Sequence, residues 1–299
     1  MTDRVRAEKT HGLVLKRYSG FYYVQHPDGE LFECKLRGKV KDGVILVGDR
    51  VRIQQTGAGQ GIIEEVLPRE VELIRPAIAN VNQVMVVMSF DQPPPNLKLL
   101  DRLLIMIEHL NLAAVTVLNK CDLPGDRTVE TIREYYPRIG YPVILTSTMI
   151  SVGVPDLLAA MREKITVFAG PSGVGKTSLL NLLIPGRGLK TGQVSHKLGR
   201  GKHTTRHAEL FPLPSGGWVA DTPGFTVVDN PVIKREELSR LFREFAGPAK
   251  DCRFPDCLHS GEVDCGVKDA VEDGTILLSR YQNYRTILTE VIERERCYR

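Results

Sequence analysis

One tryptophan in 299 residues, and aromatic residues at only 6% of the chain, leave little for an aromatic-rich binding surface. No apolar run approaches the roughly 18 residues that cross a bilayer, so the sequence carries no helical membrane anchor. The opening residues, Met1-Thr2-Asp3-Arg4-Val5-Arg6-Ala7-Glu8-Lys9, lack the apolar stretch of an export signal, and a cytoplasmic protein is expected. In that reducing compartment the six cysteines read as metal ligands or reactive thiols rather than disulfides. Net charge is small too: 40 basic residues against 36 acidic ones give +4, far from a histone-like tail. Hydrophobic residues at 42% and charged residues at 25% exclude a mainly disordered chain, and the length suits one or two domains plus a small module. The basic excess is local. Residues 186–206 contain Arg187, Lys190, Lys197, Arg200, Lys202 and Arg206 with no acidic residue, so they hold +6 and the remainder −2.

Between residues 11 and 72, short strands alternate with turn signals. Strands are expected at His11–Tyr18, Phe21–His26, Glu30–Leu36, Arg50–Gln55 and Gly61–Leu67, broken by Gly20, Pro27-Asp28-Gly29, Gly38, Gly48-Asp49 and Gly57–Gly59. Five such strands predict a small closed barrel of the oligonucleotide-binding (OB) shape. Phe21, Tyr22 and Tyr23 offer rings for base stacking, although at least one must fill so small a core. From residue 73 the pattern changes to strands alternating with helices, which predicts a parallel sheet with crossovers. Gln83–Ser89 reads as a strand buried on both faces, followed by a helix over Leu97–Leu110. Further expectations are strands at Ala113–Leu118, Val143–Thr146 and Thr166–Ala169, with helices at Thr128–Tyr136 and Pro155–Lys164. After Pro231 the chain turns polar and cysteine-bearing and ends in a helix over Ile276–Arg296, whose Tyr281, Tyr284, Ile287, Leu288, Val291 and Ile292 stripe reads as packing.

Gly170-Pro171-Ser172-Gly173-Val174-Gly175-Lys176-Thr177 fits G-x-x-x-x-G-K-[ST] in full. It lies between an expected strand and a helix over Lys176–Leu183, the geometry in which backbone N–H groups and a helix N-terminus converge on phosphates. Lys176 would neutralise the β- and γ-phosphates, and the Thr177 hydroxyl would ligate Mg²⁺. Asn119-Lys120-Cys121-Asp122, at the end of a buried strand, has the form of a guanine reader. The Asp122 carboxylate can accept from the guanine N1–H and exocyclic amine together, whereas adenine would leave it unpaired. Asn119 would hold the loop and the Lys120 stem would cover the base, while Ser147, within Thr146-Ser147-Thr148, belongs to a candidate second base loop. Asp221-Thr222-Pro223-Gly224, after an expected strand at Gly217–Ala220, fits D-x-x-G. There Asp221 would hold a water on Mg²⁺, and the Gly224 N–H would face the γ-phosphate. Either Thr205 or Thr204 can supply the switch threonine on Mg²⁺. The order is unusual, because Asn119–Asp122 precedes the phosphate loop by about fifty residues. Circular permutation of a parallel sheet permits this, since it only cuts one loop and joins neighbouring termini.

Cys252, Cys257, His259 and Cys265 place three thiols and one imidazole within fourteen residues, a donor set for a closed tetrahedral Zn²⁺ site; a redox or catalytic thiol is the alternative. Cys257 and His259 stand two apart, so an extended segment would turn both to one side. Zinc would supply the cross-link that this small, polar section needs.

These motifs, in this order, resemble the ribosome small subunit-dependent GTPase A family (RsgA, also YjeQ or YloQ). The carriers are Asn119–Asp122, Gly170–Thr177, Leu198-Gly199-Arg200-Gly201-Lys202-His203-Thr204-Thr205, Asp221–Gly224 and Cys252 to Cys265, and the likeness covers nearly the whole chain. The resemblance implies a multidomain α/β protein: an RNA-binding OB-fold barrel over 1–72, a circularly permuted P-loop GTPase domain over 73–230, and a zinc-binding helical module over 231–299. It implies GTP hydrolysis during late maturation of the small (30S) ribosomal subunit, stimulated by the subunit and coupled to release. The partners implied are GTP and GDP, the subunit and its rRNA, with no membrane, for a chain acting as a monomer. The cofactors implied are one structural Zn²⁺ and Mg²⁺ bound with GTP, and Ser178 joins the nucleotide-contacting set. Phe225 follows D-x-x-G where Ras-like enzymes carry a water-orienting Gln, so another group must serve. The resemblance points to His203; orienting the attacking water and contacting RNA are both open to it. A rival reading makes the chain a GTP-gated RNA-binding assembly factor whose hydrolysis is incidental, and an ATPase is disfavoured by Asp122.

Overall fold

The computed structural model describes residues 9–38, 44–74, 76–184, 186, 208–225 and 233–297. The basic stretch with His203, Thr204 and Thr205 lies almost wholly outside the described residues. Two compact units are present: residues 1–84, 154–168 and 176–225 form the first, and residues 85–153, 169–175 and 226–299 the second.

The first unit begins with β1 (Lys9–Tyr18), β2 (Phe21–Gln25), β3 (Leu31–Leu36), β4 (Arg50–Gly57) and β5 (Gln60–Val66). They close in the order β1-β2-β3-β5-β4-β1, antiparallel except for β3 with β5, as expected of the barrel. Closure leaves no free edge among these five strands. Alternate residues point inward, so Val14, Tyr22, Val24, Phe32, Cys34, Val51, Ile53 and Ile63 make the core. Tyr22 is thus the aromatic that the core takes. Phe21 and Tyr23 stay half-buried on the outer face, where Lys35 Nζ lies 5.1 Å from the Phe21 ring centroid and the Tyr23 hydroxyl donates to Glu33 at 3.1 Å.

A hairpin of β6 (Glu72–Ile74) and β7 (Ala77–Ala79) follows; three-residue strands are too short for the alternation to reveal. The boundary between the units falls within β8 (Gln83–Ser89), a strand buried at every residue. The second unit continues with α1 (Leu97–His109), β9 (Ala113–Asn119), α2 (Arg127–Arg138) and β10 (Val143–Leu145), with strand order β10-β9-β8 and β10 parallel to β9. Both helices start on side-chain caps, Asn96 accepting from the Leu99 N–H and Asp126 from those of Thr128 and Val129. Back in the first unit come α3 (Val154–Met161), β11 (Ile165–Ala169, through Phe168), α4 (Lys176–Leu183), β12 (Glu209–Pro212) and β13 (Trp218–Phe225). Helix α3 stops short of the expected Lys164 because Glu163 takes a left-handed backbone (φ +59°). Strand β12 escapes the sequence pattern. It pairs antiparallel with β13, and a bridge between Lys16 and Glu209 joins it to β1 of the barrel.

The second unit ends with α5 (Arg235–Leu238), α6 (Gly266–Glu272) and α7 (Leu278–Cys297). The expected stripe on α7 is buried at Tyr281, Tyr284, Ile287, Leu288 and Val291, packing with Phe242, Phe245 and Cys265. Beside that stripe sits a largely buried ion cluster. Arg280, 1% exposed, donates through Nη1 to Asp101 of α1 at 2.7 Å and through Nε and Nη2 to the two oxygens of Glu244 at 2.6 and 3.0 Å. Asp101 also accepts from the Tyr136 hydroxyl and from Asn283 Nδ2, each at 2.6 Å. Burial works against the Arg280 charge, but Asp101 and Glu244 outweigh it and hold its pKa well above the ordinary value. No helix among the described residues is long and apolar enough to cross a membrane.

Removing one partner of such a cluster strands a buried charge. Asp101→Ala is expected to destabilise the protein by about 3–5 kcal/mol. Glu65→Ala, which breaks the exposed Arg52–Glu65 pair, should change stability by no more than about 0.5 kcal/mol. Urea midpoints of the two variants decide this.

Candidate nucleotide site and metal centre

The base-reader motif and most of the phosphate loop meet inside the second unit. Strand β9 ends at Asn119, whose side chain is fully buried. Its Nδ2 donates to the Val174 carbonyl at 2.8 Å, and its Oδ1 accepts from the Thr146 hydroxyl at 3.0 Å. One amide therefore ties together three loops: 119–122, 146–147 and 170–175. Lys120 follows in a left-handed conformation (φ +61°), and its ammonium donates to the Gln92 carbonyl. The Cys121 N–H donates to the Thr146 carbonyl at 3.1 Å, which fixes the turn; burial pushes the Cys121 thiol pKa up. Asp122 is exposed, and one of its oxygens accepts from the Ser147 hydroxyl at 2.5 Å. The other oxygen has no protein partner among the described residues. Ser147 is buried and in turn accepts from the N–H groups of Met149 and Ile150 at 3.2 and 3.4 Å.

The phosphate loop leaves the fully buried strand β11 at Gly170. Gly170 has φ +134°, and a Cβ there would lie 2.2 Å from the Val87 carbonyl oxygen. Pro171 and Ser172 follow, then Gly173 at φ +85°, and Val174 is buried with its carbonyl turned to Asn119. Gly175 has φ +98°, and a Cβ would meet Asn119 Nδ2 at 2.3 Å. Lys176, Thr177 and Ser178 form the first turn of α4 in the first unit. Burial lowers the Lys176 pKa, so phosphate charge would favour an ammonium that the fold alone disfavours. Asp221 and Gly224 lie on β13, longer than the expected Gly217–Ala220, with Asp221 opposite Glu209 of β12. Sequence spacing gave no sign that Ser147 holds Asp122, that Thr146 and Val174 hold Asn119, or that Gln92 receives Lys120.

Cys252, Cys257, His259 and Cys265 converge so that their donor atoms all lie within 4.8 Å of one another. His259 turns Nδ1 toward the sulfurs of Cys252 at 3.4 Å and Cys265 at 3.5 Å, and those two sulfurs are 3.9 Å apart. The segment is not extended, as the two-residue spacing suggests. His259 has φ +53°, and its N–H donates to Cys257 Sγ at 3.4 Å, so a turn brings these donors together. The Tyr281 hydroxyl donates to the His259 carbonyl at 2.8 Å and the Tyr284 hydroxyl to that of Leu258 at 2.6 Å, anchoring the turn on α7. Burial pushes the Cys257 thiol up to about 12 and raises that of Cys265, while it lowers the His259 pKa. A metal ion would reverse that balance for the thiols. The group can hold one.

The glycine positions make the site testable. Gly175→Ala, strained at positive φ and pressed on Asn119, is expected to weaken guanine-nucleotide affinity by at least about tenfold. Titration of a fluorescent GDP analogue against both proteins measures it.

The RsgA GTPase family model matches residues 66–231, and the RsgA N-terminal domain model matches residues 11–63. Over 289 residues the chain is 48% identical to the small ribosomal subunit biogenesis GTPase RsgA of Moorella thermoacetica, covering 96% of this chain and 99% of that protein. The protein of the same name from Alkaliphilus metalliredigens is 47% identical over 289 residues, 95% of this chain and 99% of its own. YjeQ from Thermotoga maritima has a similar structure, with a TM-score of 0.83 at 38% identity over 95% of this chain and 99% of its own. YloQ, a circularly permuted GTPase, reaches 0.82 at 36% identity over 98% and 99%. With the permuted motifs converging on Asn119 and relatives alike over nearly their full length, the chain belongs to the RsgA family of GTPases.

Proposed function

We propose that the chain hydrolyses GTP as a cytoplasmic maturation factor of the small ribosomal subunit, and that the subunit stimulates turnover and hydrolysis releases the protein. The observation that carries the nucleotide reading is the double attachment of the base loop: Asn119 to Val174 and Asp122 to Ser147. In this reading Ser147 presents Asp122 with one oxygen held and one ready for the guanine N1–H and amine. Asn119 sets the distance between base and phosphates, and the Lys120 stem lies along the base. N–H groups of Gly170, Ser172, Gly173, Val174, Gly175, Lys176, Thr177 and Ser178 surround the phosphates, with Pro171 shaping the loop and Lys176 neutralising their charge. Mg²⁺ would be held by the Thr177 hydroxyl and the switch threonine, Thr205 or Thr204, with Asp221 on one of its waters and the Gly224 N–H at the γ-phosphate. His203 orients the attacking water. The barrel and the cysteine module contact rRNA.

The donor set fits zinc. Zn–S bonds near 2.3 Å and Zn–N bonds near 2.0–2.1 Å in a tetrahedron imply separations of about 3.8 Å between sulfurs and about 3.5 Å from sulfur to nitrogen. Among Cys252, His259 and Cys265 the separations are 3.9 Å and 3.4–3.5 Å, and with Cys257 all four donor atoms lie within 4.8 Å of one another. Bound there, zinc would be structural, with every position filled by Cys252, Cys257, His259 and Cys265 and none open to substrate.

Turnover, docking and metal content test this reading. Lys176→Ala should abolish GTP turnover, and added small subunits should raise wild-type turnover while large subunits do not; turnover indifferent to both leaves only the incidental-hydrolysis reading. Loss of the subunit-stimulated rate in His203→Ala at unchanged GTP affinity assigns water orientation, whereas loss of subunit docking assigns RNA contact. Purified protein should contain one zinc per chain by elemental analysis, and Cys257→Ser should lose it together with several kcal/mol of stability, about the scale of a structural site.

A further inference from the structure

A cavity of about 460 Å³ opens within the first unit. Leu13, Leu67 and Ile165 supply apolar wall, and Trp218, the chain's sole tryptophan, is half-buried beside them. The Trp218 indole N–H donates to Gln25 Oε1 at 2.8 Å, which fixes the ring. Around it the polar groups are of complementary kinds. Glu163, placed by its left-handed backbone, brings a carboxylate with no partner among the described residues. Asn82 uses Oδ1 to accept from the Ile165 N–H at 2.8 Å, which leaves its Nδ2 as an uncommitted donor. At the rim are the exposed His11 and the Arg50 guanidinium, which gives only Nη1 to Glu70 and keeps further N–H groups.

We infer that this cavity binds one unstacked nucleotide, its base against Trp218 and its phosphate toward Arg50 and His11. The volume lies in the range of small-molecule sites, and a fixed aromatic ring with a few convergent polar groups is what a base requires. Cytosine and adenine present an amino donor beside a ring-nitrogen acceptor, which matches the Glu163 carboxylate and the Asn82 amide. The source of the nucleotide is single-stranded RNA; this rests on the proposed RNA partner, with free mononucleotide as the other source of the same chemistry.

Trp218 is its own reporter. Full-length protein is titrated with five-residue single-stranded RNAs of cytidine, adenosine or uridine, with an abasic chain of the same length, and with CMP. Saturable quenching of Trp218 by the base-bearing oligomers, at least about tenfold tighter than by the abasic one, supports the site. CMP quenching as tightly as the cytidine oligomer would keep the nucleotide site and overturn RNA as its source. His11→Glu and Leu67→Phe should each weaken quenching about tenfold while GTP turnover stays as in the wild type, so a failure of the cavity is separable from a failure of the GTPase reading. Equal quenching by the abasic chain, no quenching by any ligand, reversal by excess GDP, or affinity unchanged in both variants overturns the proposal.

Discussion

The fully buried side-chain amide of Asn119 is the constraint on which the site depends. It has two hydrogen bonds, and each partner belongs to a different loop: the Val174 carbonyl in the phosphate loop and the Thr146 hydroxyl after β10. An amide without those partners would cost about 1–3 kcal/mol in a buried position. The loops therefore have one low-energy arrangement relative to one another. Gly175 is part of the same constraint, because any side chain there would occupy the space of Asn119 Nδ2. The distance between the 119–122 loop and the 170–175 loop is thereby set by the protein's own contacts.

This also explains why permutation is harmless. Val174 lies 55 residues after Asn119, but a hydrogen bond is indifferent to chain order. What has to survive is the end of one buried strand beside the loop that follows another. The family relationship rests on that geometry together with likeness along nearly the whole chain, since a phosphate loop alone occurs in many unrelated activities.

Much of this was legible from residue type. Strands β1 to β5 show because alternate apolar residues meet turn glycines, and β8 shows because burial on both faces removes every polar residue but its ends. Gly170, Gly173 and Gly175 show because positive φ needs glycine at each. The cysteine set shows because few structures other than a metal site use three thiols and an imidazole so close together. Other features left no local mark. Ser147 holding Asp122 is a tertiary contact, and the left-handed turn at His259 defeats a reading from extended spacing. Arg280 reads as a surface residue beside an apolar stripe, since its partner Asp101 lies 179 residues away.

That last contact bears on how such a protein can be divided. The cysteine-bearing end of the chain looks like an appendage in sequence, polar and compact after a run of nucleotide motifs. Yet α7 delivers a guanidinium and an amide to a carboxylate on α1, which lies between β8 and the base loop. A chain cut before residue 231 would strip Asp101 of Arg280 and Asn283 and leave only the Tyr136 hydroxyl to share its charge. Helix α1 and the cysteine module are thus one inheritable piece: neither can be traded for a foreign counterpart unless the other changes with it.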